Sequence, residues 1–86
     1  MYVPAMMTRP EIEQKVNALL AEDLEIASAR LHADARLRDD LGVDSLDVVD
    51  IVVLVNDTFG FKMTTSEVRG LETLGQFYDY VEQRLA

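Results

Sequence analysis

The run Asp44-Ser45-Leu46-Asp47, with Asp39 and Asp40 before it and Asp50 and Asp57 after it, sets one serine hydroxyl among carboxylates. A serine hydroxyl does covalent chemistry either as a nucleophile activated by a neighbouring base or as the acceptor of a group that another protein attaches. The first route needs a base, itself held in place by a third group. The chain has one histidine, His32, no cysteine, and only carboxylates beside Ser45, so the chain is expected not to be an enzyme. A plain helix-capping serine is the structural alternative.

The surrounding residues predict where that hydroxyl stands. Gly42 permits a tight approach, Asp44 is a good N-cap, and Asp47 follows in the first turn, where a carboxylate suits the helix dipole. Ser45 then falls at the first helical position, facing water. Asp44, Asp47 and Asp50 recur every third residue and Asp57 extends the line, which makes one helix face acidic. Leu46, Val49 and Val53 fall beside that line as an apolar strip, available either for docking or for packing against a loop, while Ile51, Val52, Val55 and Phe59 are expected to face the core. The β-branched run Ile51 to Val55 would suit a strand on local preference. The cap, the spacing of the aspartates and the absence of alternation decide for a helix over residues 45–59.

The whole run Leu41-Gly42-Val43-Asp44-Ser45-Leu46-Asp47-Val48-Val49-Asp50 resembles the phosphopantetheine attachment site of acyl carrier proteins. The resemblance extends over nearly all the chain. It implies that Ser45 carries a 4′-phosphopantetheine arm, attached by a phosphopantetheinyl transferase that uses coenzyme A and magnesium, with Asp44 helping to hold the metal during attachment. The arm's thiol would hold acyl groups as thioesters, and the chain would be a substrate of its partners rather than a catalyst. Asp50 stands where glutamate is usual, Asn56 and Thr58 replace usually acidic positions, and Arg69 and Gly70 alter a short helix that many partners touch. Fatty-acid synthesis, polyketide or related synthesis, and an aminoacyl or aryl carrier therefore all stay open, as does an unmodified acidic interaction module.

Charge bounds the partners. Sixteen acidic residues against eight basic ones give a formal charge of −8, which disfavours nucleic acid and anionic membrane surfaces and suits basic protein surfaces. Between Arg38 and Lys62 no basic residue interrupts the carboxylates, so Asp44, Asp47, Asp50 and Asp57, with Leu46, Val49 and Val53, form the expected docking face for the transferase and for acyl-transferring and synthase enzymes. Without cysteine there is no disulfide framework or thiolate metal site, and a reducing, cytoplasmic setting is expected. The aspartates do not follow the ligand spacing of a calcium loop, and the lone His32 reads as a solvent-facing loop residue rather than a zinc ligand.

The other elements follow from caps and periodicity. Thr8-Arg9-Pro10-Glu11 has the form of a capping box opening a first helix whose stripe is Ile12, Val16, Leu19 and Leu20, with Gln14, Asn17 and Ala21 on the far side. From Leu24 to Val43 the periodicity fails, which predicts a long loop pinned by Leu24, Ile26, Leu31, Leu37 and Leu41. Gly60 ends the second main helix, Phe61 and Met63 turn inward, and Thr64-Thr65-Ser66 caps a short helix that Gly70 stops. Thr73-Leu74-Gly75-Gln76 opens a last helix with Leu74, Phe77 or Tyr78, Val81 and Leu85 inside. The expected fold is a small all-α helical bundle of three main helices plus one short helix, with a long loop after the first, forming a single free-standing monomeric domain over 1–86. Residues 1–7 are expected to be a frayed leader.

Overall fold

The computed structural model describes residues 7–85 and consists there of four α-helices, α1 (Arg9–Asp23), α2 (Ser45–Phe59), α3 (Thr65–Arg69) and α4 (Leu74–Leu85). No strand accompanies them among the described residues beyond one isolated bridge. The expected all-α bundle is the fold found. Most of the leader expected over residues 1–7 lies outside the described residues, but Met7 belongs to the buried core rather than to a loose end.

Helix α1 begins where the capping box requires. The Glu11 N–H donates to Thr8 Oγ1 at 3.4 Å and the Thr8 N–H donates to Glu11 Oε1 at 3.0 Å, so two orphan donors are satisfied at once. Ile12, Val16, Leu19 and Leu20 are buried against α2 and α4, as their spacing predicts. Asn17 departs from expectation: instead of lying on the far side, it accepts a hydrogen bond from the Tyr78 hydroxyl at the α1–α4 seam. Burial of the Tyr78 ring makes that partner necessary. Arg9 also reaches across the seam, to Asp79 at 2.7 Å and Glu82 at 3.1 Å.

The loop between α1 and α2 is irregular yet tightly held. Its first half, broken by a 3-10 turn at Ser28–Arg30, rests Leu24, Ile26 and Leu31 half-buried on the core. Its second half buries Ala35, Leu37, Leu41 and Val43, of which Ala35 and Val43 were not expected. Backbone groups fix this half to the start of α4: the Leu37 N–H donates to the Glu72 carbonyl, Leu74 to Ala35, and Gly75 to Ala33, each at 2.9 Å. Arg36 and Thr73 form the antiparallel bridge at the centre of this clasp. A Cβ on Gly75 would sit 3.1 Å from the Ala33 carbonyl oxygen, so glycine is what permits the close approach there.

Helix α2 buries Val48, Ile51, Val55 and Phe59. Val48 takes the core position expected for Val52, which is only half-buried. Gly60 ends the helix in the left-handed conformation at φ 77°, its N–H donating to the Asn56 carbonyl at 3.0 Å. Met63 is fully buried, whereas Phe61 is half-buried and lies under the guanidinium of Arg84, 4.9 Å from the ring centre. Helix α3 carries its own capping box between Thr64 and Glu67. Glu67 also accepts from the Tyr80 hydroxyl of α4, and that bond, with those from Thr64, holds its carboxyl below the usual range. In α4 both Phe77 and Tyr78 are buried, because the helix faces α1 on one side and the clasp on the other.

Candidate functional site

Gly42 turns the chain with φ 72°, a conformation that costs a glycine little. Val43 then anchors in the core and donates its N–H to the Leu37 carbonyl at 2.9 Å. Because Val43 is fixed inside, Asp44 leaves the core extended and its carboxylate folds over the first turn of α2. Asp44 Oδ1 accepts from the backbone N–H groups of Leu46 and Asp47, both at 3.0 Å, and Asp47 Oδ2 accepts from the Asp44 N–H at 3.1 Å. The residues on both sides of Ser45 are thereby tied down. Ser45 itself is the first residue of α2, exposed, and its hydroxyl makes no hydrogen bond among the described residues. The serine is thus not the cap; Asp44 is.

The flanking positions lie on one exposed side of α2. Leu46, Val49 and Val53 are 78%, 51% and 53% exposed, so they do not pack against the long loop. Asp50 and Asp57 are exposed beside them, Asp47 is half-buried in its cap, and none of Asp44, Asp47, Asp50 or Asp57 has a cationic partner within ion-pair distance among the described residues. The acidic block expected between Arg38 and Lys62 divides, however. Asp39 pairs with Arg36 at 3.4 Å, and Asp40 caps the Arg36 N–H at 2.8 Å. These two aspartates shape the loop, whereas those of α2 project from an exposed helix side without an ion pair among the described residues.

Near the head of α2 the structure adds a feature the sequence did not announce. A groove of about 200 Å³ is walled by Arg36, Arg38, Asp39, Arg69, Leu71 and Glu72. Sharing Arg38, Arg69 and Leu71 with it is an apolar notch of about 40 Å³, completed by Leu37, Val43, Val48 and Val68. Three separate segments meet here, so no local pattern could have signalled it. Its nearest sequence trace is Arg69, whose departure from the usual pattern falls on this wall.

No three His, Cys, Asp or Glu side chains converge to hold a metal ion among the described residues. Likewise, no helix among the described residues is long and apolar enough to cross a membrane.

Comparison with known proteins agrees with the architecture. Residues 14–81 match the family described as a phosphopantetheine attachment site. The acyl carrier protein of Thermotoga maritima is 36% identical over 80 residues, covering 93% of this chain and 99% of that protein. That of Saccharopolyspora erythraea is 41% identical over 69 residues, covering 80% and 73%, and that of Amoebophilus asiaticus 36% over 76 residues, covering 88% and 95%. Phosphopantetheine is the prosthetic group of this family, whose members carry and do not catalyse. An all-α bundle with an uncommitted serine at a helix head, matched along most of its length in these ways, belongs to the acyl carrier protein family.

Proposed function

We propose that Ser45 is the residue to which the 4′-phosphopantetheine arm is attached, and that the chain presents acyl intermediates on that arm to synthesis enzymes. The carrying observation is the state of the Ser45 hydroxyl: exposed, without a hydrogen-bond partner among the described residues, and held at the start of a 15-residue helix by the capping box around it. The group fits this position, because a helix N-terminus favours the negative charge of a phosphodiester. When bound, its thiol supplies the thioester linkage, which the cysteine-free chain could not supply itself.

Asp44 has the further role of a transient magnesium ligand during attachment. Both backbone donors it caps are bonded to Oδ1, which leaves Oδ2 for a cation without uncapping the helix. The remaining ligands would come from the transferase and coenzyme A. Docking falls to Leu46, Val49 and Val53, with Asp47, Asp50 and Asp57 alongside, an apolar strip edged by unpaired carboxylates that suits a basic surface with an apolar centre. Fatty-acid, polyketide and related synthesis all use such a carrier, and the pathway would be set by which enzymes present that surface.

Incubation with a broad-specificity phosphopantetheinyl transferase, coenzyme A and magnesium should add a single arm by intact mass, and Ser45→Ala should abolish it. A wild-type chain left unmodified by several such transferases would leave the acidic face as an interaction module only.

A further inference from the structure

Basic residues are scarce in this chain, eight against sixteen acidic ones, and most of the arginines have evident local work. Arg9 and Arg84 join helices, Arg36 pairs with Asp39, and Arg30 donates to the Asp40 carbonyl. Arg38 and Arg69 have none. Both are exposed, and among the described residues neither side chain donates a hydrogen bond or has a carboxylate within ion-pair distance.

The backbone beneath each of them is fixed. Arg38 follows the buried Leu37, whose N–H donates to the Glu72 carbonyl at 2.9 Å, and the Arg38 carbonyl accepts from the Gly42 N–H at 3.2 Å. Arg69 follows the buried Val68 at the last position of α3. Both side chains border the groove of about 200 Å³, whose other walls include the carboxylates of Asp39 and Glu72 and the half-buried Leu71. The groove adjoins the docking helix. Val48 of α2 shares the smaller notch with both arginines, and the next residue, Val49, belongs to the exposed apolar strip. Two uncommitted guanidiniums therefore stand next to the helix whose aspartates have no cation of their own.

From this juxtaposition we propose that the groove is a second contact for the enzymes that dock on α2, and that it takes an acidic segment of those enzymes, with carboxylate side chains on Arg38 and Arg69. Planar guanidiniums match a carboxylate in geometry, and their anchored backbone leaves less order to be lost on binding. The walls favour a protein segment over a free anion. Asp39 and Glu72 repel a small anion that fills the groove, whereas a segment sets peptide N–H groups or a cation against them and rests an apolar side chain on Leu71. Opposite charges side by side also make the surface directional. A uniformly basic partner brings its own cations against Arg38 and Arg69, and so does a correct partner turned end for end; like charges juxtaposed across an interface are costly. The inference rests on the reading of α2 as the docking helix and adds the other half of the partner's charge pattern.

The test titrates the intact chain with a capped peptide that alternates glutamate with glycine, with the same peptide carrying glutamine instead, and with inorganic phosphate. NMR follows the Nε–H groups of Arg38 and Arg69, with those of Arg9 and Arg84 as internal references. The glutamate peptide should shift the first pair and leave the second in place, and the shifts should fade at high salt. The glutamine peptide should bind about tenfold more weakly or worse, the scale of one lost charge-assisted hydrogen bond. Arg38→Gln with Arg69→Gln should weaken the glutamate peptide as much, and because both positions are exposed the fold is retained. Equal shifts at all four arginines would overturn the inference by reducing it to general charge attraction, as would a groove silent to the glutamate peptide. Phosphate as effective as that peptide would overturn it too, by assigning the groove to a small anion. Docking on α2 is read separately, from the methyl groups of Leu46, Val49 and Val53 titrated with the transferase in the absence of coenzyme A. Shifts there with a silent groove sink this inference alone, whereas a silent strip sinks the docking reading beneath it and this inference with it.

Discussion

The proposed double role of Asp44, helix cap and transient magnesium ligand, can be tested at the scale of single atoms. One oxygen accepts from two backbone N–H groups and so closes the helix end, while the other accepts no hydrogen bond among the described residues. Asparagine is as good an N-cap as aspartate but carries no charge for a cation. Asp44→Asn should therefore stay within about 0.5 kcal/mol of wild type in stability, yet slow the modification of Ser45 by tenfold or more, on the order of one lost metal contact. Asp44→Ala should do both harms, costing about 1 kcal/mol in addition. Denaturant midpoints and initial rates by intact mass check the pair. The cap itself was legible in the sequence, because Asp44 and Asp47 stand at the spacing a reciprocal box needs. What the sequence left open was whether Ser45 served as a cap, and the uncommitted hydroxyl answers that.

Each helix is legible from its ends more than from its middle. Thr8, Asp44, Thr64 and Thr73 all mark starts, and Gly60 marks a stop, since each satisfies or permits a backbone group at a terminus. The interior register of α2 was harder. Val48 and Val52, one turn apart, fall on the same side of the core direction set by Ile51, Val55 and Phe59, and composition alone does not say which of them meets α3 and the loop. Packing decides for Val48, which is buried and lines the notch together with Leu37 and Val68. Phe59→Ala should cost about 3–5 kcal/mol, and Val48→Ala should cost more than Val52→Ala, with the buried site losing about 1–2 kcal/mol beyond the half-buried one. A reversed order of denaturation midpoints for the two valines would show that the register is turned. The loop was legible as a loop and as anchored, but its partners were not, because the clasp joins residues 33–37 to residues 72–75 through backbone groups that leave no side-chain signature.

Over the whole molecule, charge and shape oppose each other. With Asp39 paired to Arg36, the aspartates of α2 repel one another without an ion-pair partner among the described residues, beside the strip that partners would touch. Added salt should stabilise the free fold by screening that repulsion and slow association with the transferase by screening the attraction. Asp47→Asn with Asp50→Asn should imitate both effects at low salt. The melting temperature should rise by a few degrees, corresponding to about 0.5 kcal/mol in a domain of this size, while modification of Ser45 slows. Rates that match wild type at low salt would reduce the acidic face to a solvated surface.

The clasp between the long loop and the start of α4 closes the chain on itself. Everything from Leu37 to Glu72, including the serine, the acidic helix and both walls of the notch, is an arc whose two feet are hydrogen-bonded to each other. Helix α3, five residues long, is fastened inside that arc by its buried Val68 and by Glu67, which accepts from the Tyr80 hydroxyl of α4. Amide exchange should therefore be slow at the Leu37, Leu74 and Gly75 N–H groups that form the feet. The two ends of the arc are thus locked by peptide groups, which substitution of side chains largely spares.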